Sequence, residues 1–162
     1  MKWLSKYCKK TGDDMTTSKL NTELCFEVYK AANQFTKLYA KILLPFDLTY
    51  PQYLVLLTLW EEDHQTSSEI CEHLGVSIGT LNPILQKLIE KEWLSKAPAS
   101  HDKRASILSL TDKAKLTKDI IQNQIIAKMC CFDFLPAQGP DLKEKLQKLN
   151  TFLSMMNGEN SI

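Results

Sequence analysis

Apolar residues recur at steps of three and four near both ends of the chain, and this spacing predicts two long amphipathic helices. The first covers residues 18–44, and Pro45 with the Phe-Asp pair after it ends this helix. Its apolar stripe consists of Leu20, Leu24, Val28, Ala31, Phe35, Leu38 and Ile42. The last helix covers residues 141–156, and residues 133–140 interrupt the pattern before it. Its stripe consists of Leu142, Leu146, Leu149, Phe152, Leu153 and Met156.

Two further helices are predicted by their first residues. Thr49 can cap a second helix, which tolerates Pro51 because a proline in the first turn removes no intrahelical bond. A third helix begins at Thr66, which forms a capping box with Glu69, and it ends near Gly75.

The next elements complete a compact pattern. Ser77 can cap a fourth helix over residues 78–91. Two strand-like runs, 93–96 and 106–110, enclose a polar turn, and a fifth helix, capped at residues 111–112, runs to about residue 132. Helix, turn, helix and hairpin predict a winged helix-turn-helix, a mainly α fold with a small β-hairpin wing.

The turn between the two strand-like runs holds the chain's one arginine, Arg104, preceded by Asp102 and Lys103. A winged helix-turn-helix places one helix in the major groove of DNA and its wing near the minor groove, where arginine is favoured. DNA binding is therefore the leading interpretation.

Charge and length limit the alternatives. The 162 residues carry a formal net charge of only +1, so a DNA surface must arise from segregated charges rather than from bulk excess. No segment has the roughly 20 apolar residues that span a bilayer, and the N-terminus lacks the apolar run of a signal peptide. We expect a cytoplasmic protein without membrane contact, whose five cysteines are not structural disulfides.

The domain organisation follows from these elements. Residues 1–17 are polar and lysine-rich and predict an N-terminal arm, and residues 18–162 predict a single domain. Residues 49–110 would form the winged helix-turn-helix. The helices in 18–46 and 111–158 carry more apolar surface than so small a core absorbs. We therefore expect a homodimer that binds a pseudo-palindromic double-stranded operator.

A set of short motifs in fixed order makes the resemblance specific. The chain carries Leu-Cys-Phe at 24–26 with Tyr29, Thr-Lys-Leu-Tyr at 36–39 and Leu-Thr-Tyr-Pro-Gln-Tyr-Leu at 48–54. Leu-Trp-Glu at 59–61, Gly-Thr-Leu-Asn-Pro-Ile-Leu at 79–85 and Asp-Lys-Arg at 102–104 follow. The chain resembles the MarR family of regulators over roughly residues 20–115, and within it the OhrR-type repressors that sense organic hydroperoxide. The resemblance implies a dimeric DNA-binding repressor that is not an enzyme and has no cofactor.

Cys25 is the candidate sensor. It lies one helical turn before Tyr29, so the two share a face. A thiol reacts with peroxide as its thiolate, and only Lys30 or Lys37, bent inward, could supply a local cation. The residues alone favour a packing role for Cys25, since free cysteine is among the most buried residue types. The resemblance implies instead that Cys25 is the peroxidatic cysteine. It also implies that Tyr39 and Tyr50 of the partner subunit hydrogen-bond its sulfur, and that the contacts of Tyr29 change on oxidation.

Two cysteines near the end of the fifth helix, Cys130 and Cys131, are candidate resolving residues. The resemblance implies either a disulfide from Cys25 to one of them in the other subunit or capture of the oxidised sulfur by an external thiol. Neighbouring helical residues point about 100° apart, so at most one is aligned, and periodicity does not choose between them. We expect Cys71 in the core, and no metal site, because no Cys-x-x-Cys pair is present.

The start of the fourth helix should read DNA. Its polar candidates are Ser77, Thr80, Asn82, Gln86 and Lys87, and in the wing the resemblance has Asp102 bracing the turn while Arg104 contacts DNA. Lys103 and Lys96 would attract phosphate. Many relatives have an acidic residue at the position of Ser77 and serine at that of Ile78, which leaves the operator sequence open.

Three functions follow. The leading one is a repressor released from its operator when organic hydroperoxide oxidises Cys25. A second is a MarR-type repressor that responds to a small phenolic ligand. A third is a thiol-dependent peroxidase, which the lack of an evident Cys–His arrangement disfavours.

Overall fold

The computed structural model describes residues 16–98, 106–129 and 134–158. Within these residues the order of helices and strands is α1 (Thr16–Leu43), α2 (Tyr50–Glu61), β1 (Gln65–Thr66), α3 (Ser67–Leu74), α4 (Ile78–Glu90), β2 (Leu94–Pro98), β3 (Ser106–Leu110), α5 (Asp112–Met129) and α6 (Phe134–Met156). The chain divides into two compact units, Met1–Leu54 and Val55–Ile162.

The first unit is dominated by α1, and the long helix predicted there is confirmed. A short 3-10 turn, Leu44–Phe46, follows α1, and Asp47 takes a left-handed conformation (φ 53°) that reverses the chain. The side-chain oxygen of Gln52 then accepts the backbone N–H of Thr49 at 3.0 Å, satisfying a donor at the start of α2. The buried apolar residues of this unit are Ile42, Leu43, Leu48 and Tyr53.

The second unit contains the predicted helix-turn-helix and wing. The capping box is present: Thr66 Oγ1 accepts the N–H of Glu69 at 3.3 Å, and Glu69 Oε2 accepts the N–H of Thr66 at 2.7 Å. Gly75 ends α3 with φ 63°, a conformation that costs a residue with a Cβ more than it costs glycine. Ser77 caps α4, since its Oγ accepts the N–H of Thr80.

A three-stranded antiparallel sheet in the order β1-β3-β2 forms the wing base. Leu94 pairs with Leu110 and Pro98 with Ser106, so β2 continues two residues beyond the predicted strand. The two-residue β1 was not predicted; it pairs Gln65 with Leu108. The turn that carries Asp102, Lys103 and Arg104 lies outside the described residues.

A buried apolar core holds the second unit together. Its largest fully buried member is Trp93, 1% exposed, immediately before β2. Around it in the unit are the buried residues Val55, Leu56, Leu59, Trp60, Ile70, Leu81, Leu85, Leu88, Leu94, Leu108, Leu110, Ala114, Ile121 and Ile125. Their burial fixes α4 by its apolar side and leaves its polar side in solvent.

The predicted interruption at residues 133–140 is wrong for residues 134–140, which form the first part of α6. Pro136 falls in the first turn, where no N–H has an intrahelical partner. Pro140 lies inside the helix and removes one bond, which the remaining turns tolerate. The N-terminal arm is outside the described residues except for its last two, which begin α1, and the predicted end of the fifth helix at residues 130–132 is outside them too.

Candidate nucleic-acid interface and thiol site

The polar side of α4 and its cap forms a continuous exposed surface. Ser77, Thr80, Asn82, Gln86 and Lys87 are all exposed, while the opposite side of the helix is buried. The hydroxyls of Ser77 and Thr80 lie 3.0 Å apart, and Gln86 Nε2 donates to Glu90 Oε1 at 3.0 Å. We call these five residues the reading surface. It offers donors and acceptors of the kind that read base edges.

An open groove of about 200 Å³ continues the reading surface toward the wing. Its lining residues are Ser67, Asn82, Leu85, Gln86, Ile89, Lys96 and Leu108. Lys96, on β2, adds a cation at the wing side of the groove. Ser67 was not among the predicted site residues, because the unpredicted pairing of β1 with β3 brings the start of α3 to the wing.

Three lysines of α5 contact the ends of α2 and α4 and the loop after α2. They are Lys113, Lys115 and Lys118, and we call them the lysine clamp. Lys113 Nζ donates to the carbonyl of Lys91, at the end of α4, at 2.8 Å. Lys118 Nζ donates to the carbonyl of Trp60, near the end of α2, at 3.2 Å. Cations at helix C-termini satisfy carbonyls that lack intrahelical partners.

The third lysine acts through Asp63. Lys115 Nζ lies 3.1 Å from Asp63 Oδ2, while Asp63 Oδ1 accepts the N–H groups of Leu110 and His64 at 2.8 and 2.9 Å. Partial burial acts to raise the pKa of Asp63, but these hydrogen bonds outweigh it and hold the pKa below its usual value. The Asp63 carboxylate, in the loop that follows α2, thus connects this loop to both β3 and α5.

Cys25 is exposed on α1, as is Tyr29 one turn later. The ammonium of Lys30 lies 2.7 Å from Glu27 and 5.0 Å from the centre of the Phe26 ring. Lys30 is therefore engaged by its neighbours on α1. Within one chain this places the Cys25 thiol in water.

Tyr39 and Tyr50, which the sequence assigns to one site, lie side by side. Their rings are stacked with centroids 4.5 Å apart, and Tyr53, which was not predicted, lies 5.5 Å from Tyr39. Burial raises the pKa of Tyr39 to about 12, with further contributions from Tyr53 and Tyr50. Burial also raises the pKa of Tyr50 and of Tyr53. At neutral pH all three phenols are protonated, as an ordinary tyrosine is, and can donate hydrogen bonds.

Four further cysteines remain, and one of them, Cys8, lies outside the described residues. Cys130 and Cys131 lie outside the described residues, directly after the end of α5 at Met129. The expectation that Cys71 is a core residue is wrong: its side chain is partly exposed and lines an open groove with Glu72, Gly75, Val76 and Ser77. It stands at the edge of α3, where the helix turns toward α4.

The described residues contain no group of three or more His, Cys, Asp or Glu side chains that could hold a metal ion. They contain no single helix long and apolar enough to cross a membrane, and one bent pair of helices meets that requirement by length and composition only.

Comparison with known proteins decides the family. A family model described as transcriptional regulator SarA/Rot matches residues 37–128. An organic hydroperoxide resistance transcriptional regulator of Bacillus subtilis is 31% identical over 142 residues, covering 88% of this chain and 95% of that protein. The chain belongs to the MarR family of transcriptional regulators, in its organic-hydroperoxide branch.

Solved structures of AbfR, a protein of Staphylococcus epidermidis, share the fold of this regulator. Reduced AbfR bound to DNA is 33% identical, with a TM-score of 0.80 over 88% of this chain and 97% of that chain. Disulfide-formed AbfR is 36% identical, with a TM-score of 0.61 over 82% and 93%. The predicted winged-helix fold and family are thereby confirmed.

Proposed function

We propose that this regulator is a homodimeric cytoplasmic repressor, which binds double-stranded operator DNA when Cys25 is reduced and leaves it when organic hydroperoxide oxidises Cys25. The observation that carries the proposal is an exposed thiol on α1, outside the helix-turn-helix, in a chain that shares its fold with reduced, DNA-bound AbfR. A thiol so placed can react without contacting DNA and must act through the fold.

DNA binding is assigned to the reading surface and the wing. Asn82 and Gln86 carry amide groups that can read base edges in the major groove, and Lys87 can reach a phosphate. In the wing, Asp102 braces the turn, Arg104 contacts DNA, and Lys103 adds phosphate attraction. With a formal net charge of only +1, binding depends on where these cations lie rather than on bulk charge.

A second copy of the chain is assigned to the exposed apolar sides of α1, α5 and α6. On α5 the exposed side chains include Leu116, 79% exposed, and on α6 they include Leu146 and Leu153. Large apolar side chains exposed along the same helices favour an interaction surface. Two joined reading surfaces match a pseudo-palindromic operator whose half-sites lie about 34 Å apart.

The chemistry begins at the Cys25 thiolate, which attacks the outer oxygen of the hydroperoxide. The O–O bond breaks, the alkoxide takes up a proton and leaves as an alcohol, and the sulfur becomes a sulfenic acid. Tyr39 and Tyr50 of the partner subunit donate hydrogen bonds to the sulfur and favour its thiolate, and the contacts of Tyr29 change on oxidation. The stacking of the Tyr39 and Tyr50 rings, with centroids 4.5 Å apart, supports this role, because two phenols held side by side can donate to one sulfur.

A second thiol then attacks the sulfenic sulfur, releasing water and forming a disulfide. The resolving thiol is Cys130 or Cys131 of the partner subunit, or an external small thiol. The existence of disulfide-formed AbfR supports the first option. Because the lysine clamp ties α5 to the ends of α2 and α4, strain at the end of α5 would move the reading surface as a rigid body.

The test is operator binding by fluorescence anisotropy, with a duplex taken from upstream of the regulator's own gene. We compare wild type, Cys25→Ser and the matched control Cys71→Ser, each reduced, then treated with cumene hydroperoxide, then treated with dithiothreitol. We expect wild type and Cys71→Ser to bind, to release on oxidation and to rebind. Release of Cys25→Ser by hydroperoxide would overturn the role of Cys25, and binding indifferent to hydroperoxide in wild type would favour a ligand-responsive repressor.

A further inference from the structure

Tyr53 is the buried member of the three-phenol group. Its side chain is 5% exposed, whereas Tyr39 and Tyr50 are only partly buried. It follows Tyr50 by three residues on α2, so the two rings share one side of that helix. Tyr53 is thus the buried residue on which the more exposed rings of Tyr39 and Tyr50 pack.

The ring of Tyr39 has three aromatic neighbours. Tyr50 stacks on it at 4.5 Å, Tyr53 lies 5.5 Å away, and Phe35, one turn earlier on α1, lies 6.4 Å away. Aromatic rings in such contact hold one another in a fixed orientation. Of the three neighbours, Tyr53 is the buried one that comes from another helix, so its removal would free the Tyr39 ring to change rotamer.

The same contact affects the proton of Tyr39. Burial is the main cause of its raised pKa, and a neighbouring ring contributes to burial whether or not it carries a hydroxyl. A phenol that resists ionisation and holds one orientation is a suitable hydrogen-bond donor to a thiolate.

We infer that Tyr53 is a positioning residue for thiol oxidation, which fixes the Tyr39 phenol in the orientation that donates to the Cys25 sulfur of the partner subunit. This inference rests on the proposed function, which assigns Tyr39 to that sulfur. Tyr53 itself does not touch the sulfur or the peroxide. Its ring does the positioning, and its hydroxyl is not required for it.

The test is a double-mutant cycle on the full-length dimer. Tyr53→Leu removes the ring, Tyr53→Phe keeps it, and Tyr39→Phe removes the donor on which Tyr53 is proposed to act. For each variant we measure the rate constant for loss of the Cys25 thiol with cumene hydroperoxide, and the pH profile of Cys25 alkylation by iodoacetamide. Operator affinity of the reduced protein shows that each variant is folded.

We expect Tyr53→Leu to slow oxidation by about tenfold, the effect of losing one hydrogen bond to a charged group. Its alkylation profile should shift to higher pH, and Tyr53→Phe should behave as wild type. In the Tyr39→Phe background, Tyr53→Leu should cause no further slowing, because the two residues act in series. A merely structural role would instead slow both backgrounds equally.

Three results would overturn the inference: unchanged oxidation in Tyr53→Leu, an equal loss in both backgrounds, or a loss in Tyr53→Phe as large as that in Tyr53→Leu. Failure of the proposed function is distinct, since it shows as wild-type operator binding indifferent to hydroperoxide. If the proposed function fails, the alkylation profiles still test whether Tyr53 acts through Tyr39. They measure the pH dependence of Cys25 reactivity, which requires neither DNA nor peroxide.

Discussion

Tyr39 stands out at the residue scale because its ring is in contact with two other tyrosines. Its pKa, raised to about 12 from an ordinary 10.0, mainly reflects burial. The neutral phenol is the form the fold favours, so ionising it must cost stability. The sign follows from linkage: stability from this group is complete below pH 10 and falls as the pH rises toward 12.

This gives a pH prediction. Between pH 10 and 12 the free energy of unfolding of wild type should fall more steeply than that of Tyr39→Phe, because the unfolded phenol ionises first. Urea denaturation of both proteins across this range measures the difference. Parallel curves would show that Tyr39 is not the phenol that resists ionisation.

Asn82 is the residue of the reading surface best placed to contact a base, since it is exposed on α4 and lines the groove toward the wing. Asn82→Ala should weaken operator binding by about 1–3 kcal/mol, the value of one good base contact. Asn150→Ala, an exposed asparagine on α6, is the matched control and should bind as wild type. Anisotropy titrations of the two variants decide the point, and equal affinities would remove Asn82 from the interface.

At the scale of the element, α5 directly precedes Cys130 and Cys131 in the chain and contacts the elements that carry the reading surface. Its lysine clamp reaches the ends of α2 and α4 and, through Asp63, reaches β3. The Nζ atom of Lys113 also lies 4.8 Å from the ring centre of Trp93, a buried residue of the core. These contacts make the first half of α5 move with the reading surface.

Loosening the clamp should weaken the coupling between oxidation and release. In a Lys113→Met and Lys118→Met double variant, two helix-end carbonyls lose their donors. The difference in operator binding between reduced and oxidised protein should shrink by ~0.5–2 kcal/mol. The control is Lys128→Met, an exposed lysine in the last turn of α5. An unchanged difference in the double variant would show that the clamp does not transmit the signal.

The elements that could be predicted from sequence are those set by local interactions. The capping box at Thr66 and Glu69 and the cap at Ser77 placed α3 and α4 correctly, because a cap depends on residues three apart. Strand β1 was missed because two residues carry no periodicity and its pairing with β3 is long-range. The start of α6 was not predicted because Pro136 and Pro140 indicated a break in the helix. The first turn tolerates Pro136, and the later turns tolerate Pro140.

The candidate site shows the same division. The exposure of the reading surface follows from the period of α4, whereas the third phenol, Tyr53, could not be predicted from spacing, since its role depends on the approach of α1 to the start of α2. The wing residues Asp102, Lys103 and Arg104 and the resolving cysteines Cys130 and Cys131 remain predictions.

For the whole molecule, the exposed apolar residues of α1, α5 and α6 require cover. They include Leu24 and Phe26 on α1, Ile120 on α5, and Leu146 and Phe152 on α6, all between 41% and 58% exposed. A second copy of the chain would remove them from water and set the spacing of two reading surfaces. Dimerisation and operator affinity should therefore fail together.

Leu146→Glu places a charge in this surface and should dissociate the dimer. Losing the second reading surface should cost about 10²-fold or more in operator affinity, since each half-site then binds alone. The control is Gln147→Glu, which adds the same charge at the neighbouring exposed position. Sedimentation velocity and anisotropy on both variants provide the measurement, and a Leu146→Glu protein that stays dimeric would place the interface elsewhere.

The central claim is that oxidation of Cys25 itself releases the operator. The most direct measurement titrates the reduced, DNA-bound protein with cumene hydroperoxide and follows release by anisotropy and Cys25 modification by intact mass on the same samples. The account predicts that release rises in proportion to the fraction of Cys25 in a disulfide and reverses with dithiothreitol. Cys25 fully oxidised with the operator still bound would contradict it.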